Sequence, residues 1–460
     1  MNSEKIKLKL PSRTQLAVLG LVLLVVLVTI VLALMIGRKS NAARRAGKPN
    51  IIIINADDLG YGDVGIYGQK LFKTPNLDRM AVQGKRFTNF YAGCSVCSPS
   101  RASLLSGKDT GHVSIRQNSD STLSLNDKTI AEVLKPIGYT CAVVGKWGIG
   151  DRGTTGDPLR RGFDSFFGYY KNVEEPYPTS VWRNGELEPV PQGTYQQDLL
   201  IRAALDFITQ KKDAPFFLYF APIIVHAPYV VPNDSPFSNR PWPQDDKGYA
   251  AMIESYLDRD IGELFKLLSA LGLDENTIVF FTSDNGPPGE NLFNSAGPLG
   301  GVKRTLREGG LRVPLIVRWP GNTNRGEGEE IFGPTGMTSS EPLGNWDILP
   351  TIAELTGADI PPGINGKSFL PTLLEREQEP HDFLYWEFPK KKGKGFSQAV
   401  RMAEWKLIRI TTPTQNGKRK SRLELFNLKS DIRETTNLVN DFPEVVQRIV
   451  GIMDQHHVDR

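Results

Sequence analysis

Uninterrupted runs of β-branched and aromatic residues recur along the chain and predict buried strands. Residues 51–54 are four consecutive isoleucines, and comparable runs occupy residues 141–144, 216–221 and 278–283. Between the last two runs, apolar residues recur at helical spacing over residues 249–271. This alternation of strands and helices predicts an α/β fold, with a large mixed, mostly parallel sheet sandwiched by helices on both faces.

The pattern changes at about residue 384, where shorter strands with alternating polar and apolar residues begin. Residues 404–410 and 423–428 show this alternation, and a closing helix is predicted from Pro443. These elements are typical of a small C-terminal α+β subdomain with an antiparallel sheet and one helix. We therefore predict a main domain over residues 49–383 and a C-terminal subdomain over residues 384–460.

The N-terminal segment contains one long apolar stretch. Residues 14–37 carry no charge, are rich in Leu and Val, and are long enough to span a bilayer. Arg38 and Lys39 follow directly, whereas a signal peptide has a shorter apolar core with a small-residue cleavage site after it. We favour an uncleaved membrane anchor and a basic linker within residues 1–48, with a cleaved signal peptide as the alternative.

The charge of the chain is concentrated in the N-terminal segment. The formal net charge is +4 for the whole chain and +8 for residues 1–48, which leaves −4 for the remainder. A mildly acidic main part argues against nucleic-acid binding. Any anionic substrate must therefore be held by local cations and not by the field of the whole protein.

Carboxylate and amide residues follow two of the predicted strands. Asp57 and Asp58 come shortly after the first run, and Asp284 and Asn285 directly follow the run at 278–283. In open α/β sheets, ligands bind at the carboxyl ends of strands, and adjacent carboxylates are costly unless a cation neutralises them. The first pair alone is equally compatible with a solvated loop. The second group favours a shared site.

The most specific motif is the segment Cys-Ser-Pro-Ser-Arg-Ala-Ser-Leu-Leu-Ser-Gly-Lys at residues 97–108. Pro99 in its opening turn and the helix-forming run that follows predict that Cys97 lies at a helix N-terminus, where backbone N–H groups favour an anion. An alternative is that Cys94 and Cys97 form a redox dithiol or half of a zinc site. A zinc site would need further ligands, and Cys141 is the one remaining cysteine.

Residues 97–108 resemble the signature of the sulfatase family, in which a maturation enzyme converts the leading cysteine to formylglycine. The resemblance extends over nearly all of the chain after residue 48 and implies an alkaline phosphatase-like fold. It implies that Cys97 becomes the nucleophile, and that Arg101 holds the charged formylglycine hydrate and its metal. Hydrolysis would then proceed by covalent catalysis in two easier steps.

The segments around both carboxylate groups are similar to the metal-binding segments of sulfatases. The resemblance implies a metal shell of Asp57, Asp58, Asp284 and Asn285, completed by the formylglycine oxygen at Cys97. All-oxygen ligands suit calcium, with magnesium as an alternative, whereas zinc favours softer ligands.

The resemblance also assigns two sulfate-binding lysines and an acid. Lys146 follows the run at 141–144, and Lys303 precedes a second family-like segment at 308–314. Either lysine alone is compatible with a surface charge. His226 follows the run at 216–221 and resembles the family histidine that contacts the sulfate ester and protonates the leaving oxygen, a task suited to imidazole.

One position departs from the family pattern. Sulfatases usually carry Gly-Lys-Trp-His after the third strand, but this chain has Gly148 in place of the histidine. That histidine normally assists sulfate release as a base. His112, close to the signature, is a candidate substitute, and a purely structural role for it is an equal alternative.

Together these features predict a sulfatase that hydrolyses a sulfate ester on a carbohydrate. Because sulfate esters of polymers are met outside the cytoplasm, we expect the catalytic domain on the periplasmic or extracellular side of a membrane. Two other functions remain open: a phosphodiesterase or phosphonate hydrolase of the same superfamily, and a non-catalytic sugar-binding relative.

Overall fold

The computed structural model describes residues 48–458 apart from 121, 172–174, 290–291, 321–335, 390–394 and 414–418. The described residues from Pro49 onward form one compact unit. The predicted apolar span at 14–37 lies outside the described residues. No helix in the described part of the chain is long and apolar enough to cross a bilayer.

The strands occupy three sheets. In chain order they are β1 Asn50–Ala56, β2 Lys85–Phe87, β3 Phe90–Tyr91, β4 Thr140–Lys146, β5 Ser165–Tyr169, β6 Ser180–Arg183, β7 Glu186–Pro189, β8 Phe216–Ala221, β9 Thr277–Ser283, β10 Leu315–Arg318, β11 Met337–Ser339, β12 Leu343–Gly344, β13 Leu384–Pro389, β14 Phe396–Met402, β15 Trp405–Pro413 and β16 Arg419–Asn427.

The helices connect and cover these strands. In chain order they are α1 Pro75–Val82, α2 Cys97–Ser106, α3 Ile130–Leu134, α4 Gln196–Lys211, α5 Gln244–Ala251, a π-helix Met252–Asp258, α6 Arg259–Ala270, α7 Glu308–Leu311, α8 Ile348–Thr356, α9 Leu370–Leu373 and α10 Pro443–His456. Short 3₁₀ turns lie at Tyr61–Asp63, Gly65–Tyr67, Lys135–Ile137, Pro158–Arg160, Asp274–Asn276 and Asn345–Asp347.

The main sheet has ten strands in the order β11-β2-β10-β9-β1-β8-β4-β5-β6-β7. Its centre is parallel, because β1 pairs in parallel with both β8 and β9, and β4 pairs in parallel with β5 and β8. Antiparallel pairing occurs toward both edges, at β9–β10 and at β5–β6–β7. All four predicted strand runs lie in this parallel centre, so the predicted fold class is confirmed.

The run of isoleucines explains why helices cover both faces of the sheet. Successive side chains of a strand point to opposite faces. Ile52 and Ile54 join a core with residues of α1, α4 and α6, while Ile51 and Ile53 join a second core with residues of α2, α3 and α8. All four isoleucines are fully buried. This run of four apolar residues is therefore buried on both faces, and the residues that follow β1 lie at the edge of a two-sided core.

The helix predicted over residues 249–271 is interrupted. The observed segment consists of α5, the π-helix Met252–Asp258 and α6. The π-helix ends at Asp258, whose carboxylate accepts hydrogen bonds from the backbone N–H groups of Asn76 and Leu77 at the start of α1. Apolar spacing predicted the buried face of this segment but does not distinguish a π turn from an α turn.

The C-terminal part contains the predicted antiparallel sheet, in the order β13-β14-β15-β16. The closing helix α10 begins at Pro443, as predicted, and packs on β14 and β15. Its buried residues Ile449 and Met453 share a core with Val400 and Leu407 of the sheet.

Candidate active site

Pairing of β1 with β9 brings the two carboxylate groups together. The last residues of these strands, Ala56 and Ser283, are directly opposite each other in the parallel register. The hydrogen bonding between the two segments continues one residue beyond the end of β9, where the backbone N–H of Asp284 donates to the carbonyl of Ala56 at 3.0 Å. Asp57, Asp58 and Asp284 are all buried. The sheet therefore positions three carboxylates side by side at its carboxyl edge.

Backbone geometry fixes the direction of Asp58. Its φ of 65° lies in the left-handed region, which Asp tolerates better than most residues. This conformation accompanies a hydrogen bond of 3.2 Å from the N–H of Asp58 to Oδ1 of Asp284. A direct hydrogen bond therefore joins the acidic segment after β1 to the acidic segment after β9.

Helix α2 delivers Cys97 to these carboxylates. Cys97 is the first residue of the helix, with Val96 in an extended conformation before it, so the predicted placement at a helix N-terminus is confirmed. Its Sγ lies 3.5 Å from Oδ1 of Asp57 and 3.9 Å from Oδ1 of Asp58. One ligand atom from each of Asp57, Asp58, Cys97 and Asp284 lies within 4.8 Å of the others.

Three buried cations neutralise the three carboxylates. Arg101 Nη2 lies 2.7 Å from Oδ2 of Asp284, and Lys146 Nζ lies 2.7 Å from Oδ2 of Asp57. Lys303 Nζ lies 2.6 Å from Oδ1 of Asp58. Arg101 follows Cys97 by one helical turn, and Lys146 ends β4, so neighbouring elements supply all these contacts.

His226 completes the set from the segment after β8. Its Nε2 lies 3.8 Å from Oδ2 of Asp58, and its Nδ1 lies 2.8 Å from the carbonyl oxygen of Ala227. Two backbone hydrogen bonds join this segment to Asp57: its N–H donates to Ile224 at 2.8 Å, and its carbonyl accepts from Val225 at 2.6 Å. The histidine loop is therefore tied to the carboxylates through the backbone.

The donor atoms fit a hard cation. Asn285 Nδ2 donates to Oδ1 of Asp58 at 2.7 Å, while its buried Oδ1 accepts no hydrogen bond from the part of the chain that the structure describes. A buried amide oxygen without a donor is costly, and cation binding would satisfy it. Carboxylate and amide oxygens are the ligands that calcium and magnesium prefer.

Burial and charge set the protonation of the site. Burial raises the pKa of Asp57, but Lys146 and Arg101 outweigh it and hold that pKa well below its usual range. Burial and the neighbouring Asp57 raise the pKa of Asp284. Burial and the charge of Asp284 raise the pKa of the Cys97 thiol well above its usual range. As encoded, this side chain is a protonated thiol and a weak nucleophile.

The structure gives no support to the dithiol or zinc alternative for the cysteines. Cys94, Cys97 and Cys141 are all buried and free, so no disulfide is present. Cys141 Sγ lies 4.0 Å from the carbonyl oxygens of Ala131 and Tyr139, in the layer around β4. Among the described residues, Cys97 is grouped with three aspartates and with no other cysteine.

Gly148 faces the site, whereas the contacts of His112 lie elsewhere. A Cβ at Gly148 would lie 3.5 Å from Cδ of Arg101 and 3.8 Å from Oγ of Ser98, at a φ of +81°. His112 instead pairs with Asp109 and contacts the ring of His456. The predicted substitution of His112 for the missing base therefore has no supporting contact among the described residues.

Two supporting residues were missed by sequence reasoning. Ser283 Oγ accepts from the N–H of Leu59 at 2.9 Å and donates to the carbonyl of Asn285 at 2.9 Å, so it joins both acidic segments. Asn118 Oδ1 accepts from the N–H of Ser98 at 3.1 Å, beside Cys97. A lone Ser at a strand end and a loop Asn carry no sequence signal for these roles.

Two family models match this chain. The model described as Sulfatase matches residues 49–358, and the model described as N-sulphoglucosamine sulphohydrolase, C-terminal, matches residues 302–457. Together they span the strands, the carboxylates, the signature segment and the C-terminal sheet.

Individual proteins resemble the chain over most of its length. Arylsulfatase G of Rattus norvegicus is 33% identical over 462 residues, which cover 87% of this chain and 84% of that protein. N-acetylgalactosamine-6-sulfatase of Canis lupus familiaris is 31% identical over 478 residues, covering 90% and 87%. The crystal structure of Ps i-CgsB in complex with k-i-k-neocarrahexaose has a TM-score of 0.78 and 29% identity, covering 89% and 94%.

Proposed function

The chain belongs to the sulfatase family of sulfuric ester hydrolases, and from that premise we propose that it removes sulfate from a carbohydrate by means of a formylglycine made from Cys97. The observation that carries this proposal is the position of Cys97, at the start of a helix and 3.5 Å from a buried carboxylate. A nucleophile and a cation-binding group meet there at the carboxyl edge of the sheet.

The protonation of Cys97 supports its conversion. A protonated, buried thiol beside three carboxylates is poorly suited to attack an anionic ester, because the thiolate is the nucleophilic form and burial and the carboxylates disfavour it. Formylglycine supplies a hydrated aldehyde, with one hydroxyl for attack on sulfur and a second for expelling sulfate. A formylglycine-generating enzyme is therefore the partner that we propose for maturation.

The acidic residues have a separate role in this proposal. Asp57, Asp58, Asp284 and Asn285 would hold one calcium ion, with magnesium as the alternative, together with the oxygen of the modified Cys97. When bound, the cation supplies positive charge to the nucleophile and the sulfate oxygens. Arg101 orients Asp284 through its contact of 2.7 Å and opposes the effect of burial on that carboxylate.

Lysine and histidine residues face the ester in our proposal. Lys146 and Lys303 are buried, and the carboxylates beside them favour their charged forms, so they present fixed positive charges for the sulfate oxygens. His226 lies at the same edge of the sheet and protonates the leaving alcohol. In this arrangement the three terminal oxygens of the sulfate ester, which share one negative charge, face cations on several sides.

The similar proteins support a carbohydrate substrate. One relative is named for sulfated N-acetylgalactosamine, and the solved structure with 29% identity holds a neocarrahexaose. We therefore propose a sulfated sugar or sugar polymer, met by a catalytic domain outside the cytoplasm. The apolar stretch at 14–37 is our proposed anchor for this domain.

A matched substrate pair tests this function. We expect the matured enzyme to release sulfate from sulfated mono- or disaccharides, and to hydrolyse the phosphate ester of the same alcohol much more slowly. Sulfate and phosphate release are measured in parallel on each pair. Preferential phosphate release would replace our proposal with a phosphohydrolase, and sugar binding without release of either anion would indicate a non-catalytic relative.

Gly148 leads to a kinetic prediction. The side chain that would act as a base at this position is absent, and a positioned base is typically worth about 10²–10⁴-fold. We expect alcohol release to be fast and sulfate release to be slow, so rapid mixing of a chromogenic sulfate ester should show a burst of alcohol before the steady state.

His112→Ala provides the comparison for the burst. Because the contacts of His112 are with Asp109 and His456, we expect its replacement to leave the burst and the steady-state rate unchanged. A wild-type enzyme without a burst, combined with a burst in His112→Ala, would identify His112 as the base after all. No burst in either protein would mean that water or a substrate group replaces the missing histidine.

A further inference from the structure

We propose that Asp109, His112 and His456 form a zinc-binding site that fastens the C-terminal helix α10 to the segment following the nucleophile helix α2. Nothing in the proposed hydrolysis uses these residues. They lie in one cluster, and each supplies one ligand atom within 4.8 Å of the other two. This cluster is separate from the aspartates around Cys97.

The carboxylate of Asp109 lies between the two imidazoles. Its Oδ1 is 2.9 Å from Nδ1 of His112, and its Oδ2 is 2.6 Å from Nε2 of His456. Zinc bonds to imidazole nitrogen and carboxylate oxygen are about 2.0–2.2 Å, so these two nitrogen–oxygen separations lie near those that a shared ion requires. The two imidazole nitrogens lie within 4.8 Å of each other. Small side-chain movements would bring the three groups onto one zinc ion.

The chemistry of these donors differs from that of the catalytic cluster. Two imidazoles and one carboxylate suit zinc, whereas calcium prefers oxygen ligands alone. Zinc in proteins is usually four-coordinate, so three protein ligands leave one coordination position for water. The two clusters should therefore discriminate between cations, with calcium at the aspartates and zinc at the histidines.

Surrounding contacts already hold two of the three ligands, Asp109 and His456. The N–H of Gly111 donates to Oδ1 of Asp109 at 2.9 Å, and the N–H of Asp109 donates to Oδ1 of Asn365 at 3.2 Å. The ring of His456 packs against Tyr385, with ring centres 4.7 Å apart. Supporting interactions of this kind fix ligand orientation in metal sites.

Solvent reaches the cluster from the histidine side. The side chain of Asp109 is 5% exposed, while those of His112 and His456 are 29% and 19% exposed. A zinc ion can therefore reach the buried carboxylate of Asp109 past the two partly exposed imidazoles. His457, next to His456, pairs with Glu387 at 2.7 Å and stays outside the proposed set.

The consequence is a link between distant parts of the chain. Asp109 and His456 are 347 positions apart, and Asp109 follows the end of α2 by three residues. A ligand that binds the folded state and not the unfolded state stabilises the fold by an amount that grows with the logarithm of its concentration relative to Kd. Zinc should therefore raise the unfolding temperature by joining α10 to the part of the chain that carries Cys97.

Zinc titration in the presence of excess calcium tests the proposal, because calcium then fills the oxygen-ligand site. We expect one zinc ion per chain by calorimetry and a higher unfolding temperature. The His112→Ala/His456→Ala double variant should bind zinc more than about 100-fold more weakly and show no shift in unfolding temperature.

His381→Ala is the matched control. His381 also pairs with a buried aspartate, at 3.0 Å from Asp347, but it belongs to no cluster with a second histidine among the described residues. This variant should bind zinc as wild type does. If the double variant folds poorly, cobalt in the wild-type enzyme should show visible absorption typical of nitrogen ligation. Equal zinc affinity in the double variant, or no zinc binding by wild type under calcium, would overturn the proposal.

Discussion

Replacing Cys97 by alanine is expected to lower the rate of sulfate ester hydrolysis by about 10⁴-fold or more, which is the usual cost of losing a nucleophile that acts as part of a unit. Alanine lacks the thiol that the maturation enzyme must oxidise to form the aldehyde, and it leaves the cations in place. Substrate binding should therefore persist, while kcat falls to the background. Sulfate release by purified, matured protein is the measurement.

Cys94→Ala is the matched control for this change. Cys94 is also buried and free, and it lies three residues before Cys97 in the sequence. It is outside the group formed by Asp57, Asp58, Cys97 and Asp284. We expect this variant to keep most of the activity. Retained turnover in Cys97→Ala, or an equal loss in Cys94→Ala, would remove Cys97 from the centre of the mechanism.

Asp284→Asn is expected to abolish both calcium binding and turnover. The substitution removes one of three carboxylates from the cluster, so a bound cation would lose charge compensation as well as a ligand. It also removes the negative charge that Arg101 contacts at 2.7 Å, and breaking a buried ion pair typically costs about 3–5 kcal/mol of stability. Calorimetric titration with calcium and the rate of sulfate release are the measurements.

Asp260→Asn separates loss of the metal from loss of stability. Asp260 is a buried carboxylate that pairs with Arg259 at 2.7 Å, as Asp284 does with Arg101, but it lies in α6 away from the acidic cluster. Asp260→Asn should lower the unfolding temperature and leave calcium affinity unchanged. Unchanged calcium affinity in Asp284→Asn would show that Asp284 is not a ligand.

The central strands and their polar ends could be predicted because both follow from local chemistry. Four consecutive isoleucines place apolar side chains on both faces of a strand, so the sequence directly predicts a strand that is buried on both sides. The closeness of Asp58 and Asp284 in space could not be derived in this way, because these residues are 226 positions apart in the sequence. Their shared site was predicted from the two similar strand ends and from the family resemblance.

His112 shows why closeness in sequence is a poor guide to a site. It lies six residues after Ser106, the last residue of α2, but the chain turns at Asp109 and carries the imidazole toward α10. The partner ring of His456 is 344 positions away in the sequence and stands at the end of the last helix. The sequence predicted a closing helix from Pro443, but it contains no information about which segment this helix contacts.

The most direct test of this account is peptide mass spectrometry of the full chain produced together with a formylglycine-generating enzyme. We predict an aldehyde at Cys97 and an unmodified thiol at Cys94, with the rate of sulfate release proportional to the fraction converted at Cys97. Protein that hydrolyses sulfate esters while Cys97 remains a thiol would contradict the account.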